Sequence, residues 1–263
     1  MRKLLLIPFL ILFYIQGTAQ NLIEVVPVKL VGNYLFVEIT LDNRNDPLNF
    51  WFDSGAGITV IDTAIADQLA LDISGESKIN TSAKSLVSEE SARNQLKIGQ
   101  KLTLDNVTLI VMDLSHLSNY LKTNVDGIIG YDLLEKFVLE TNIDKKEIRF
   151  YSPNGYTHKG NHIALELTTL ESNLFGILIE VLPKNKTEST ILNFQIDTGA
   201  DNYLTFHNKA VQEYQLINPK KRHKMIKGFG ADSTITTNIR SKVSEVIFGG
   251  KKWKNIPVTF EVD

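Results

Sequence analysis

A tetrapeptide that occurs twice constrains this chain more than any other feature: Asp53-Ser54-Gly55-Ala56 and Asp197-Thr198-Gly199-Ala200. The first copy is entered from Leu48-Asn49-Phe50-Trp51-Phe52 and leads into Ile58-Thr59-Val60-Ile61. The second is entered from Ile191-Leu192-Asn193-Phe194-Gln195-Ile196 and leads into Tyr203-Leu204-Thr205-Phe206. Both read as strand, tight turn, strand, with the Asp at the mouth of the turn. A single Asp-Ser/Thr-Gly is an ordinary Asx-type turn. By residue frequencies, one such tetrapeptide arises by chance in roughly one chain of this length in a hundred, so two in matching contexts point to a duplicated functional loop.

Apolar-apolar-Asp-Ser/Thr-Gly-Ala resembles the catalytic loop of the aspartic proteases, and Asp-Thr-Gly-Ala-Asp at 197–201 is closer to the retropepsin form than to the pepsin form. The family's second signature, two apolar residues and a Gly, is matched by Asp126-Gly127-Ile128-Ile129-Gly130-Tyr131-Asp132-Leu133-Leu134, followed by Glu135-Lys136-Phe137. The resemblance implies a mainly β, two-lobed pepsin/retropepsin-like acid protease fold with short helices, a pseudo-twofold axis and an active-site cleft between the lobes. It implies Asp53 and Asp197 as catalytic acids, with Ser54, Gly55, Ala56, Thr198, Gly199, Ala200 and Gly130 as loop support. Ser54 and Thr198 are expected to hydrogen-bond across to the opposite loop.

At 263 residues, net charge −2 and 43% hydrophobic content, the chain fits a globular protein with a substantial core, and its near-neutral charge gives no sign of a nucleic-acid partner. Met1-Arg2-Lys3, an apolar run over 4–15 and Gly17-Thr18-Ala19 have the zones of a signal peptide, expected to span residues 1–19. The apolar run is short for a membrane span, and no later stretch is apolar enough for one. There is no Cys, which removes disulfides, thiol catalysis and lipid attachment at Cys. An exported, disulfide-free chain fits a bacterial periplasm, envelope or extracellular setting.

An N-terminal lobe is expected over 20–152, a linker over 153–161 and a C-terminal lobe over 162–263. In the first lobe, strands joined at Gly32-Asn33, a short helix within 61–69 capped by Asp62 or Thr63, and a hairpin over 142–151 are expected. The polar interval 74–95 is where the family carries its flap. The short lead before Asp53 leaves little room for a pro-segment, so no autoactivation by its removal is expected. Beyond the linker the layout repeats, with strands over 162–168 and 174–182 and a helix over 208–216. Val246-Ile247-Phe248-Gly249-Gly250 mirrors Leu96-Lys97-Ile98-Gly99-Gln100, and Asn255-Ile256-Pro257-Val258 mirrors Asn106-Val107-Thr108-Leu109.

The duplication has a gap. Gly130 follows Asn106 by 24 residues (130 − 106), which puts a second Gly segment near 279 (255 + 24), past Asp263. Lobe 2 is therefore expected to lack that segment. A shortened product, a reduced lobe supported in another way, and completion by dimerisation all account for it; a monomer is preferred over a homodimer.

Two carboxylates brought together by the turns cannot both ionise cheaply, so the pair should share one proton. The ionised member takes a proton from water attacking a peptide carbonyl, while the protonated member donates to the carbonyl oxygen. Pepsin-type enzymes usually carry Ser or Thr at the positions of Ala56 and Ala200. An Ala cannot donate to the carboxylate, so the pair's pKa values should be higher and the working pH weakly acidic to neutral. The partner is a peptide or protein substrate, with no cofactor and no metal required.

Elsewhere the signals are weak. His116, His158, His162, His207 and His223 form no ligand pattern. Gly228-Phe229-Gly230 reads as a turn or a flap tip, and Lys220-Lys221-Arg222-His223-Lys224 as a solvated loop. The alternative to an endopeptidase is a catalytically weak peptide-binding or interaction protein on the same scaffold.

Overall fold

The computed structural model describes residues 21–42, 44–80, 85–218, 222–230 and 232–262. The expected signal peptide over 1–19, positions 81–84 of the flap interval, and Lys220 and Lys221 lie outside the described residues. The expected mainly β, two-lobed architecture is the one the chain adopts.

The first half begins with β1 (Leu22–Pro27), β2 (Lys29–Val31), β3 (Tyr34–Leu41), β4 (Leu48–Phe52) and β5 (Thr59–Asp62). It continues through α1 (Thr63–Leu69), β6 (Gly75–Asn80), β7 (Ser85–Ile98), β8 (Leu102–Met112) and α2 (Ser115–Leu121). It ends with β9 (Gly127–Ile129), α3 (Tyr131–Leu134), β10 (Val138–Asn142) and β11 (Glu147–Tyr151). Eight strands form one sheet in the order β2-β3-β4-β9-β5-β8-β7-β6, which folds back on itself through a β3–β7 pairing. A second sheet, β1-β11-β10, packs Ile148 and Phe150 against it.

Central strands buried on both faces need continuous apolar runs, which explains Leu48-Asn49-Phe50-Trp51-Phe52 and Gly127-Ile128-Ile129. Phe50, Phe52 and Ile129 enter a core with Val37, Ile39 and Leu109. Trp51 and Ile128 face the other side, with Tyr34, Phe36, Val60 and Leu117 of α2. Burying a side chain such as Phe50, fully shielded from solvent, contributes about 2–3 kcal/mol. Asp62 caps α1 by accepting from Ala64 N at 3.0 Å, and its other oxygen accepts from Leu114 N at 2.8 Å. The N-cap of the unanticipated helix α2, Leu114, has no capping side chain, but Asp113 just before it accepts from Ser115 N at 2.9 Å.

The second half contains β12 (Leu167–Thr169), β13 (Phe175–Leu182), β14 (Thr190–Gln195), β15 (Thr205–Phe206) and α4 (Asn208–Glu213). It closes with β16 (Lys224–Phe229), β17 (Ile235–Lys242), β18 (Glu245–Phe248), β19 (Lys251–Lys254) and β20 (Pro257–Glu261). The strand expected over 162–168 is confined to Leu167–Thr169, because its partner β13 offers Phe175 to Ile177 and the residues before Thr168 are exposed. The helix expected over 208–216 stops at Glu213, where the chain turns out through Gln215 at φ 47°. Gly228 and Phe229 lie in β16, and Gly230 opens the turn to β17.

The repeated layout extends to the backbone. Gly99 and Gly249 both turn at positive φ (63° and 56°), and so do Asn106 and Asn255 (58° and 56°). In lobe 1 the strand runs through Asn106 as β8; in lobe 2 Asn255 separates β19 from β20. The lobes differ at one strand. β9 joins β4 to β5, whereas in lobe 2 the described strands fall into two sheets, β12-β13-β18-β19 with β14 on β13, and β15-β20-β17-β16.

Candidate active site

β4 ends at Phe52 and β14 at Gln195, and their turns meet. Ser54 N donates to Thr198 Oγ1 and Thr198 N to Ser54 Oγ, both at 3.0 Å. Ser54 Oγ donates to Ile196 O at 2.9 Å, and Thr198 Oγ1 reaches Phe52 O at 3.4 Å. Each hydroxyl thus accepts from the opposite amide and donates to the opposite carbonyl, so the two turns satisfy one another.

This brings Asp53 and Asp197 side by side. Gly55 N donates to Asp53 Oδ1 at 2.7 Å, and Gly199 N donates to Asp197 Oδ1 at 2.8 Å and to Asp53 Oδ1 at 3.1 Å. A Cβ on Gly55 would stand 2.8 Å from Asp197 Cγ, and one on Gly199 2.4 Å from Asp53 Cγ. Glycine is required at both positions by this approach of backbone to carboxylate, not by an unusual φ.

The two acids are not equivalent: Asp53 is half-buried and Asp197 is exposed. Burial, then the charge of Asp197 and a side-chain hydrogen bond with it, push Asp53 up to about 7 from an ordinary 3.8, against the lowering effect of the Gly55 and Gly199 amides. The Ala56 side chain offers the carboxylate no donor. Its N donates to Asp53 O at 3.0 Å and its carbonyl accepts from Tyr131 N at 2.9 Å. Ala200 is exposed.

Gly130 lies under the first loop. Asp53 N donates to Ile129 O at 2.9 Å, and a Cβ on Gly130 would stand 2.0 Å from Asp53 O and 2.6 Å from Ala56 O. Next to it, Asp132 Oδ2 accepts from the N and Oγ1 of fully buried Thr59, a contact hidden in sequence because 73 residues separate the pair. The cross-lobe contacts were equally hidden. Ser172 O occupies the space beside Gly57, Asn173 Nδ2 donates to Gly57 O at 3.3 Å, and Tyr131 stacks on Phe175 at 5.9 Å. His116 Nε2 lies 3.2 Å from Gly230 O, so the β16–β17 turn of lobe 2 touches α2 of lobe 1.

No group of three or more His, Cys, Asp or Glu suited to a metal ion occurs among the described residues. No helix among them is long and apolar enough to cross a membrane.

Residues 37–133, from β3 through the first Asp loop to the Gly130 segment, match the family model described as aspartyl protease. The aspartyl protease match thus takes in Asp53 and Gly130, while Asp197 lies beyond it. No curated protein matches the chain. Among solved structures, the crystal structure of a retropepsin-like aspartic protease from Rickettsia conorii is similar over 49% of this chain and 89% of its own, at 17% identity and a TM-score of 0.35.

Proposed function

We propose that the chain is an aspartic endopeptidase in which Asp53 and Asp197 share one proton and activate water for peptide hydrolysis. The observation that carries this reading is the single Gly199 amide bonded to both carboxylates, 3.1 Å from Asp53 Oδ1 and 2.8 Å from Asp197 Oδ1. That shared donor shows how close the two acids lie; their mutual repulsion and the partial burial of Asp53 favour a state with one proton between them, against the opposing pull of the amides.

With its raised pKa, Asp53 holds the proton and donates it to the oxygen of the scissile carbonyl. Asp197 accepts a proton as water attacks the carbonyl carbon. The resulting gem-diol collapses as the amide nitrogen is protonated and the C–N bond breaks, which returns one proton to the pair. Ser54, Thr198, Gly55 and Gly199 hold the carboxylates in place, and Gly130 supports the first loop. Both acids come from one chain, so a monomer suffices. We further infer that residues 1–19 direct export and are removed.

The test is cleavage of a mixed peptide library by protein beginning at Gln20, from pH 3 to 8, beside Asp53→Asn and Asp197→Asn. Cleavage is expected at weakly acidic to neutral pH, lost by about 10²–10⁴-fold in either variant. Peptide binding without cleavage by the unsubstituted chain would replace the endopeptidase reading with that of a binding protein.

A further inference from the structure

Beside the paired acids lies an open recess of about 420 Å³ that spans the lobes. Lobe 1 contributes Gly32 and Asn33 of the β2–β3 turn, Tyr34, and Tyr120 and Leu121 of α2; lobe 2 contributes Asp201, four residues after Asp197. The recess is tied to the acid pair by the chain: Tyr34 precedes Leu35, the strand partner of Phe52, which leads into Asp53, and Asp201 follows Asp197 by four residues. The Tyr34 phenol is pushed up to about 12 first by burial, then by the charge of Asp201, with Tyr120 and Asp197 adding to it.

Its parts have fixed and complementary roles. Tyr34 is buried and packs edge-on against Trp51 at 4.7 Å, and Trp51 in turn stacks on Phe36, so the Tyr34 ring is a rigid wall. Tyr120 is 60% exposed and stands at the rim. Asp201 is exposed, and no basic side chain among the described residues forms an ion pair with it. Lys29, two residues before Val31, directs its ammonium to Thr123 Oγ1 at 3.0 Å.

The matching position of the first loop is Gly57, which differs in two ways. It carries no charge, and the Ser172 carbonyl lies 1.8 Å from where its Cβ would be. The position four residues after the acid is therefore charged and open in the second loop, and uncharged and covered in the first. A carboxylate at the end of an aromatic-walled recess fits an aliphatic stem that lies along the rings with a cationic head at the acid. One carboxylate alone does not make a divalent-cation site.

We propose that the Asp201–Tyr34–Tyr120 recess is a substrate subsite for a lysine or arginine side chain, placed on one side only of the scissile bond. The proposal rests on the peptidase reading for the words "substrate" and "scissile", but the recess binds a basic peptide whether or not the peptide is cut.

The test therefore measures binding. Full chain carrying Asp53→Asn is titrated with fluorescent peptides that bear Arg at each position in turn, each against the same peptide with citrulline, which keeps the shape and removes the charge. Arg is expected to bind about tenfold more tightly than citrulline at one position, on the strength of one partly desolvated ion pair with a cation–π contact. Adding Asp201→Asn should collapse that ratio to about one, and adding Tyr120→Leu, at an exposed rim position, should reduce it about threefold. No Arg preference at any position, including no binding at all, overturns the proposal, as does a preference that survives Asp201→Asn. Cleavage by the unsubstituted chain separates the two readings. Cleavage without Arg preference removes the subsite and leaves the peptidase; Arg preference without cleavage removes the peptidase and leaves the subsite.

Discussion

The two lobes carry the same loop but hold it differently. In lobe 1 the Asp53 turn is supported from within: β9 pairs in parallel with β4, Ile129 O accepts from Asp53 N, and Tyr131 N donates to Ala56 O. In lobe 2 the outer edges of β14 and β15 pair with no other strand among the described residues, and the sheet divides there. The Asp197 turn is held across the cleft, through Ser54 Oγ, Phe52 O and Asp53 Oδ1. The consequence is the unequal exposure of the acids: Ser54 is buried and Asp53 half-buried, whereas Asp197, Thr198 and Ala200 are exposed. One inserted strand separates a loop that is part of a core from a loop that leans on its neighbour.

The largest expected effect breaks the internal support. Gly130→Val would drive a branched side chain into the carbonyls of Asp53 and Ala56, backbone atoms with no room to yield. It should cost about 4 kcal/mol or more, or prevent folding, in urea denaturation followed by fluorescence. A cost below about 1 kcal/mol would show that the segment does not support the Asp53 turn.

A smaller effect separates the two kinds of support. Ser54→Ala removes the oxygen that accepts from Thr198 N and donates to Ile196 O, and should cost about 1–2 kcal/mol. Its signature is local. By hydrogen exchange, the amides of Thr198 and Gly199 should lose protection while those of Asp53 and Ala56, bonded inside lobe 1, keep theirs. Equal loss in both loops would mean that the lobes support each other symmetrically.

The repeated Asp loop, the Gly130 segment and the mirrored Gly and Asn turns were legible in the sequence because each is a local demand on backbone shape. The same holds for the Asp62 cap. What was not legible depends on contacts between distant residues. Nothing near Thr59 marks Asp132 as its partner, and nothing near Gly57 announces Ser172. The recess at Asp201 needs α2, the β2–β3 turn and lobe 2 brought together before it exists. The expected strand over 162–168 failed for the converse reason: its residues have strand character, but before Leu167 there is no partner edge for them to use. The alanines of the two loops were informative in sequence only because an absent hydroxyl is a local fact. That the burial of Asp53 contributes more to its raised pKa than the charge of Asp197 could be seen only in three dimensions.

The proton shared by two unequally held acids is the centre of this account, and carboxyl ¹³C NMR of Asp-labelled protein from pH 2 to 9 tests it most directly. Asp53 is expected to titrate near 7 in the intact chain. In Asp197→Asn, which removes the neighbouring charge and leaves the burial, its midpoint should fall by about one unit or more while staying above the ordinary 3.8. Titration of Asp53 near 3.8 in both proteins, or a midpoint that Asp197→Asn does not move, would contradict it.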